Sequence, residues 1–185
     1  MSILHAKKKS GSKFLELLQV QIRNEFNAHQ QYVALAAWFD AQDLPRLASH
    51  FYRQALEERN HAMMIVQYLL DQDIKVTIPG ADEVKNEFTT ARELVVLALE
   101  QERQVTEDII LLAKTARDEN DYVGEQFLQW FLKEQVEEVS SMTSLLAVVD
   151  RAGDNLFHVE DFLARESVGD NGRDPLAPRA AGGSL

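Results

Sequence analysis

Four long stretches of the chain place their apolar residues three or four positions apart, which is the spacing of one face of an α-helix. The first stretch covers Lys13 to about Asp40, and the second runs from Pro45 to about Gln72. The third begins at Thr90, which forms a capping box with Glu93, and the fourth ends at Gly153, a residue typical of helix C-termini. The pattern therefore predicts four long helices.

The connections between these stretches predict how the helices are arranged. Only two or three residues separate the first helix from the second, where Asp43 is the expected N-cap, and the third from the fourth. Each pair should therefore form an antiparallel hairpin. The 18 residues from Asp73 to Thr90 extend over about 59 Å, whereas the second helix is about 44 Å long. We expect this segment to run the full length of the bundle.

A shorter apolar pattern after Asp154 predicts a fifth helix that ends before Gly169. The fold class is thus all-α: a four-helix bundle with one long crossover between the second and third helices and a short fifth, C-terminal helix. We expect residues 1–166 to form this bundle. Residues 167–185 should form a flexible tail, because Gly, Pro, Asp and Ala dominate there.

The composition restricts the possible partners. The 185 residues are 45% hydrophobic and carry a net charge of -11, which disfavours nucleic acid and anionic membranes. The chain has no cysteine, so a metal site must use oxygen and nitrogen ligands. Because no apolar leader or membrane-spanning run is present, we expect a cytoplasmic protein.

Each of the four apolar faces contains one glutamate at a position that a bundle normally fills with an apolar side chain. These residues are Glu25, Glu58, Glu102 and Glu138, and His61 shares the face of the second helix. All five lie within about 5 Å of the centre of their helix along its axis. We therefore expect them to form one ring halfway along the bundle.

The ring has an internal repeat, since 33 residues separate Glu25 from Glu58 and also Glu102 from Gln135. The first half reads Glu, then Glu-x-x-His, and the second reads Glu, then Gln-x-x-Glu. Taken singly, each glutamate is more simply explained as a solvated side chain. Four buried carboxylates at one level would nevertheless be prohibitive without compensating charge, which two divalent cations supply.

The ligand types favour two iron ions, with manganese or zinc as competitors. His61, Glu25 and a bridging Glu58 would define the first site. The second would use Glu102, Glu138 and the other oxygen of Glu58. Because it lacks histidine, it should hold its metal more loosely, which suits iron as substrate.

Gln135, beside the second site, would act as a weak ligand or as a hydrogen-bond donor to a ligand. The motifs NEFNAHQQY, EERNHAMM, LEQER and QWFLKEQVEE carry these residues. In them the chain resembles the bacterial non-haem ferritins over nearly the whole predicted bundle. The resemblance implies an iron store with ferroxidase activity. Such a protein oxidises Fe(II) with dioxygen or peroxide at an intra-subunit di-iron centre and deposits ferric mineral in a cage of about two dozen subunits.

The resemblance also implies roles for residues outside the ring. Glu57, Glu134 and Glu137 match carboxylates that form a third iron site in similar proteins, although ordinary solvated helix charge explains them equally well. Tyr32 matches a redox-active tyrosine, with a hydrogen-bonded core tyrosine as the competing interpretation. Trp130 either relays an electron or simply packs.

Two departures separate the chain from haem-containing bacterioferritins, so no haem is expected. Gln135 stands where they have glutamate, and Arg59 stands where they have the haem-ligating methionine. The Gly-Gly-Ser-Leu terminus faintly resembles tails that dock cargo into protein shells, although a disordered end explains it more simply.

Two rival functions remain open. One is an oxidase or peroxidase that retains two iron or manganese ions and acts on a small substrate, which the single Glu-x-x-His motif disfavours. The other is a purely structural bundle, which leaves the buried charge unexplained.

Overall fold

A computed structural model describes residues 11–165 and 174–184, and these residues form five α-helices and no strand. The all-α prediction is confirmed, and each helix begins and ends close to its predicted bounds. The helices are α1 (Lys13–Asp40), α2 (Pro45–Asp71), α3 (Ala91–Asp118), α4 (Tyr122–Ala152) and α5 (Phe157–Arg165). Within the described ranges, no helix has both the length and the apolarity that crossing a membrane requires.

The four long helices form two hairpins that pack against each other. The turns that join α1 to α2 and α3 to α4 are short, and the helices of each pair lie in extensive contact. α1 also contacts α3, and α5 rests against α2 and α4 at one end of the bundle. The predicted four-helix bundle with one crossover and a short fifth helix is therefore confirmed.

The crossover between α2 and α3 follows α1 from end to end, as its length predicted. Amide side chains of α1 hold it by bonding its backbone. Gln19 donates to the carbonyl of Lys75 at 2.9 Å. Gln31, three helical turns further on, both donates to and accepts from the backbone of Lys85 at 2.8 and 2.9 Å. Between them Asn27 accepts from the backbone N–H of Asp82 at 2.9 Å and donates to the carboxylate of the same residue at 2.7 Å. These bonds satisfy backbone groups of a segment that has no strand partner.

The start of α2 differs from the prediction that Asp43 caps it. Leu44 is the N-cap and makes no side-chain bond to the helix. Asp43 lies one residue earlier in a left-handed conformation with φ 57°. The free backbone N–H groups of Arg46 and Leu47 donate instead to the carboxylate of Glu160 in α5, at 2.9 and 2.8 Å. A remote glutamate thus caps α2 and fastens α5 to the bundle.

Two apolar clusters fill the bundle, one towards each end. The first includes Tyr32, Phe39, Phe51, Leu94 and Met142, and the second includes Phe14, Ile22, Ile65, Ile109 and Phe131. On α1, Glu25 lies between Ile22 of the second cluster and Tyr32 of the first. The same interruption occurs on the other three long helices, at Glu58, Glu102 and Glu138. A polar layer therefore crosses the middle of the core at the predicted level.

The described part of the C-terminal tail, residues 174–184, packs on the bundle, which the sequence did not predict. Ala180 is buried in the second apolar cluster, and the N–H of Ala181 donates to the carbonyl of Met63 at 3.0 Å. Asp174 accepts a hydrogen bond from the indole N–H of Trp130 at 2.8 Å. The segment covers the surface between α2 and α4. The rest of the predicted tail, residues 167–173 and 185, lies outside the described residues.

His50 of α2 provides a test of the core that is independent of the polar layer. Its ring is buried edge-on against Phe51, and its Nε2 has no hydrogen-bond partner among the described residues. Burial lowers the pKa of His50 to about 4, with a smaller contribution from Arg53. Folding therefore favours the neutral ring. The resulting stability is complete above the unfolded pKa of about 6.5 and is lost as the pH falls through the folded value.

We expect His50→Leu to reduce the loss of unfolding free energy that accompanies acidification. Relative to the wild type, the variant should gain up to about 3 kcal/mol between pH 6.5 and pH 4, since one pKa unit corresponds to about 1.4 kcal/mol. Thermal unfolding of both proteins across this pH range measures the difference. Parallel profiles would show that His50 does not titrate with a lowered pKa.

Candidate metal centre

The polar layer gathers the five residues that the sequence predicted as its ring. Each long helix contributes one glutamate from its buried face, and α2 adds the imidazole one turn after its glutamate. The exposed fractions of Glu25, Glu58, His61, Glu102 and Glu138 lie between 0 and 7%. Buried carboxylates are rare unless they are paired or bind a metal, so the layer requires an explanation.

Three of these residues form a compact group of possible ligands. Glu25, Glu58 and His61 each offer one ligand atom, and these atoms all lie within 4.8 Å of one another. The Nδ1 atom of His61 is 3.6 Å from Oε2 of Glu58. Carboxylate oxygens and an imidazole nitrogen at this spacing suit a transition-metal ion such as iron, manganese or zinc. The structure therefore brings together the predicted first site.

The atoms that could bind a metal are those without hydrogen bonds. In the part of the chain that the structure describes, four buried atoms of the five ring residues have no partner: Oε2 of Glu25, Glu58 and Glu102, and Nδ1 of His61. The other oxygen of Glu25 accepts from Gln21 at 3.0 Å, and the other oxygen of Glu102 accepts from the hydroxyl of Tyr32. Leaving several buried acceptors unpaired is costly, and a bound cation would satisfy them together.

The electrostatics of the layer follow from burial and from repulsion among the carboxylates. Burial raises the pKa of Glu25 and Glu58 well above the ordinary range, and repulsion from Glu58 and Glu102 respectively adds to the effect. Burial and repulsion by Glu102 likewise raise the pKa of Glu138. The layer thus retains protons where exposed carboxylates would lose them. A divalent cation would replace those protons.

Tyr32 and Gln135 lie against Glu102 rather than against the compact group. The Tyr32 ring is fully buried and donates its hydroxyl hydrogen bond to Glu102. Gln135 is also bonded to Glu102, and its own Oε1 lies 2.9 Å from the hydroxyl of Thr106. Both contacts orient a predicted ligand of the second site. This position fits the hydrogen-bonding interpretation of Gln135.

The three carboxylates of the predicted third site do not share one environment. Glu57 and Glu134 line a cavity of about 260 Å³ beside His61, and burial raises the pKa of Glu57 to about 7. Glu137 is 61% exposed and pairs with Lys133 at 3.6 Å. The structure therefore brings two of the three together next to the compact group and leaves Glu137 at the surface.

Trp130 and the C-terminal segment also line this cavity. The indole contacts His61 edge-on, with 5.6 Å between ring centroids, and its N–H is bonded to Asp174. Trp130 therefore packs on a candidate ligand and anchors the segment. These contacts explain the presence of a tryptophan at this position without a role in electron transfer.

Two buried amides that were not predicted as site residues, Gln21 and Gln54, also belong to the layer. Gln21 bonds Glu25, and Gln54 bonds Glu57 and Glu138. Each lies four residues before a glutamate of the ring, so it shares the helical face of that glutamate. The same 33-residue spacing that relates Glu25 to Glu58 also relates Gln21 to Gln54. Extending the repeat by one turn would have found both.

Comparison with known proteins identifies the family. The model of the ferritin-like domain matches residues 15–152, which cover α2, α3, α4 and all but the first two residues of α1. The chain belongs to the ferritin family. It is 66% identical over 174 residues to Ferritin BfrB of Mycolicibacterium smegmatis, an alignment that covers 94% of this chain and 96% of that relative.

More distant ferritins show how far the likeness extends. A bacterial non-heme ferritin of Staphylococcus aureus is 35% identical over 145 residues, which are 78% of this chain and 87% of that protein. The open pore ferritin of Archaeoglobus fulgidus superposes with a TM-score of 0.80 at 26% identity, covering 84% of this chain and 96% of that one. The family and fold are thus shown. The name of the Staphylococcus aureus relative gives the non-haem subtype, and the name of the Mycolicibacterium smegmatis relative does not.

Proposed function

We propose that this ferritin stores iron by oxidising Fe(II) at the buried layer and depositing the product as ferric mineral inside a hollow cage. The observation that carries the proposal is the set of four unpaired, buried ligand atoms on Glu25, Glu58, His61 and Glu102. Membership of the ferritin family agrees with this chemistry. The substrate is Fe(II), and dioxygen or hydrogen peroxide accepts the electrons.

The residues of the layer would form two metal positions. Glu25 and His61 would hold the first Fe(II), while Glu102 and Glu138 would hold the second, with Glu58 between them. Each Fe(II) gives up one electron, so a pair supplies the two electrons that reduce dioxygen to peroxide or peroxide to water. Because the second position has no histidine, it should release its iron more readily.

Glu57 and Glu134 provide an exit for the oxidised iron in this proposal. They line the cavity that borders His61, so an ion leaving the layer would meet carboxylates at once. Glu137 is not part of this route, because it is exposed and paired with Lys133 at the surface. Tyr32 would act through Glu102, by holding its carboxylate and by being close enough to donate an electron.

The absence of haem is part of the proposal. Arg59 occupies the position next to Glu58 where the haem-ligating methionine would stand, and guanidinium is not a haem-iron ligand. The cage of about two dozen subunits, the cytoplasmic location and the docking of the tail into a protein shell stay predictions from the sequence.

Rapid mixing with air-saturated buffer tests the oxidation step. At two Fe(II) per chain, the ferric absorbance of the wild type should rise much faster than in protein-free buffer, and prior binding of Zn²⁺ should suppress the rise. Glu137→Gln, which changes a surface carboxylate of the same helix, should behave like the wild type. Oxidation at the rate of the buffer alone would refute the proposed ferroxidase.

A further inference from the structure

We infer that Gln21 is a positioning residue that reserves one oxygen of Glu25 for the metal. The inference rests on the proposed function of the same layer and adds a residue that its ligand set does not contain. Gln21 is buried, with 2% of its surface exposed, and lies one helical turn before Glu25. Its side-chain amide donates to Oε1 of Glu25 at 3.0 Å.

The Glu25 carboxylate is asymmetric as a result. Oε1 is occupied by the Gln21 amide, whereas Oε2 is buried and has no partner among residues 11–165 and 174–184. Oε2 belongs to the carboxylate that forms the compact group with Glu58 and His61. A metal bound there would therefore meet one oxygen of Glu25 rather than both.

A short chain of hydrogen bonds fixes which end of the Gln21 amide faces Glu25. The carboxylate of Asp108 on α3 only accepts, so the amide nitrogen of Asn24 turns towards it, at 3.1 Å. The same nitrogen also donates to the carbonyl oxygen of Gln21, at 3.3 Å. Gln21 must then present its NH₂ group to Glu25. A half-exposed charge on α3 thus sets the orientation of a fully buried ligand on α1.

Loss of the Gln21 amide should leave Glu25 free to rotate and to offer both oxygens. Gln21→Met keeps the length and approximate volume of the side chain but removes the donor. Changes to residues that orient a metal ligand weaken metal affinity by about 10- to 100-fold. The number of oxygen ligands should rise at the same time, because Oε1 is no longer held.

Co²⁺ is the probe, because its visible absorption reports the number of ligands as well as the affinity. Titration of the wild-type protein with Co²⁺ should give a tight first site. In Gln21→Met we expect affinity about tenfold weaker and a weaker absorption per bound ion, the change that a higher ligand number produces. Gln31→Met is the matched control: Gln31 is a buried amide of the same helix that bonds the crossover instead.

A second variant keeps the test decisive if Gln21→Met does not fold. Asp108→Asn changes a partly exposed residue and removes the charge that orients the chain, so it should shift the Co²⁺ spectrum in the same direction by a smaller amount. An unchanged spectrum and affinity in both variants, with normal binding by the wild type, would overturn the positioning role and leave the proposed function standing. No Co²⁺ binding by the wild type would refute the proposed function and this inference with it.

Discussion

Replacing Glu58 with glutamine is expected to abolish rapid iron oxidation and, at the same time, to stabilise the metal-free protein. Glu58 lies at the centre of the layer and would contact both metals, so its loss should slow the initial rate about 100-fold or more, equivalent to about 2.7 kcal/mol. Glutamine keeps the shape of the side chain and removes a buried carboxyl group whose pKa burial raises. The melting temperature of the metal-free protein should therefore rise by about 2–4 °C.

Opposite changes in stability and activity distinguish a functional layer from a structural one. Glu137→Gln is the control, since that carboxylate is exposed and paired with Lys133. It should alter neither the rate nor the melting temperature appreciably. Stopped-flow oxidation and thermal unfolding of the three proteins measure both effects. A stabilised Glu58→Gln variant that oxidises iron at the normal rate would favour the purely structural bundle.

The second large effect is the dependence of stability on metal and pH together. Removing the metal should destabilise the protein much more at pH 8 than at pH 5. In the metal-free state the raised pKa values of Glu25, Glu58 and Glu138 mean that the folded form retains protons. The stability from this retention is complete below the unfolded pKa of about 4.3 and is lost as the pH rises through the folded values. Each pKa unit corresponds to about 1.4 kcal/mol.

Metal binding replaces those protons, so the loaded protein should show little of this decline. Melting temperatures of the metal-free and Zn²⁺-loaded proteins from pH 5 to pH 8 measure the separation between the two curves. In Glu58→Gln the separation should shrink, because that variant has lost both the titrating group and a ligand. Parallel curves for the wild type would mean that no metal replaces protons on these carboxylates.

The fold was predictable because its signals are local and repeated. Apolar residues three and four positions apart predict each long helix. The length of the crossover alone distinguishes a bundle joined by short loops throughout from a bundle with one long connection. The cap of α2 was not predictable in the same way. Asp43 has the residue type of a cap, but the backbone turns before it reaches the helix, and Glu160 supplies the cap from more than 100 positions away.

The ring of ligands was predictable because a charged residue on an apolar face violates the pattern around it. The glutamines that bond the ring residues disturb the apolar pattern less, because a neutral amide side chain is common on a helix. Gln21 becomes recognisable only when the 33-residue repeat is followed one helical turn back from Glu25, to the pair Gln21 and Gln54. The packing of residues 174–184 depends on small side chains, such as Ala180, and on hydrogen bonds to Met63 and Trp130. None of these contacts leaves a periodic signal in the sequence.

Counting the iron that the protein retains tests the central claim most directly. Fe(II) is added aerobically in increasing excess to the purified protein, and the iron that elutes with it is measured together with the size of the particle. We expect soluble ferric iron far above about two per chain, in a particle of cage size. Saturation at about two per chain or fewer would contradict storage and would indicate an enzyme that retains its two metals.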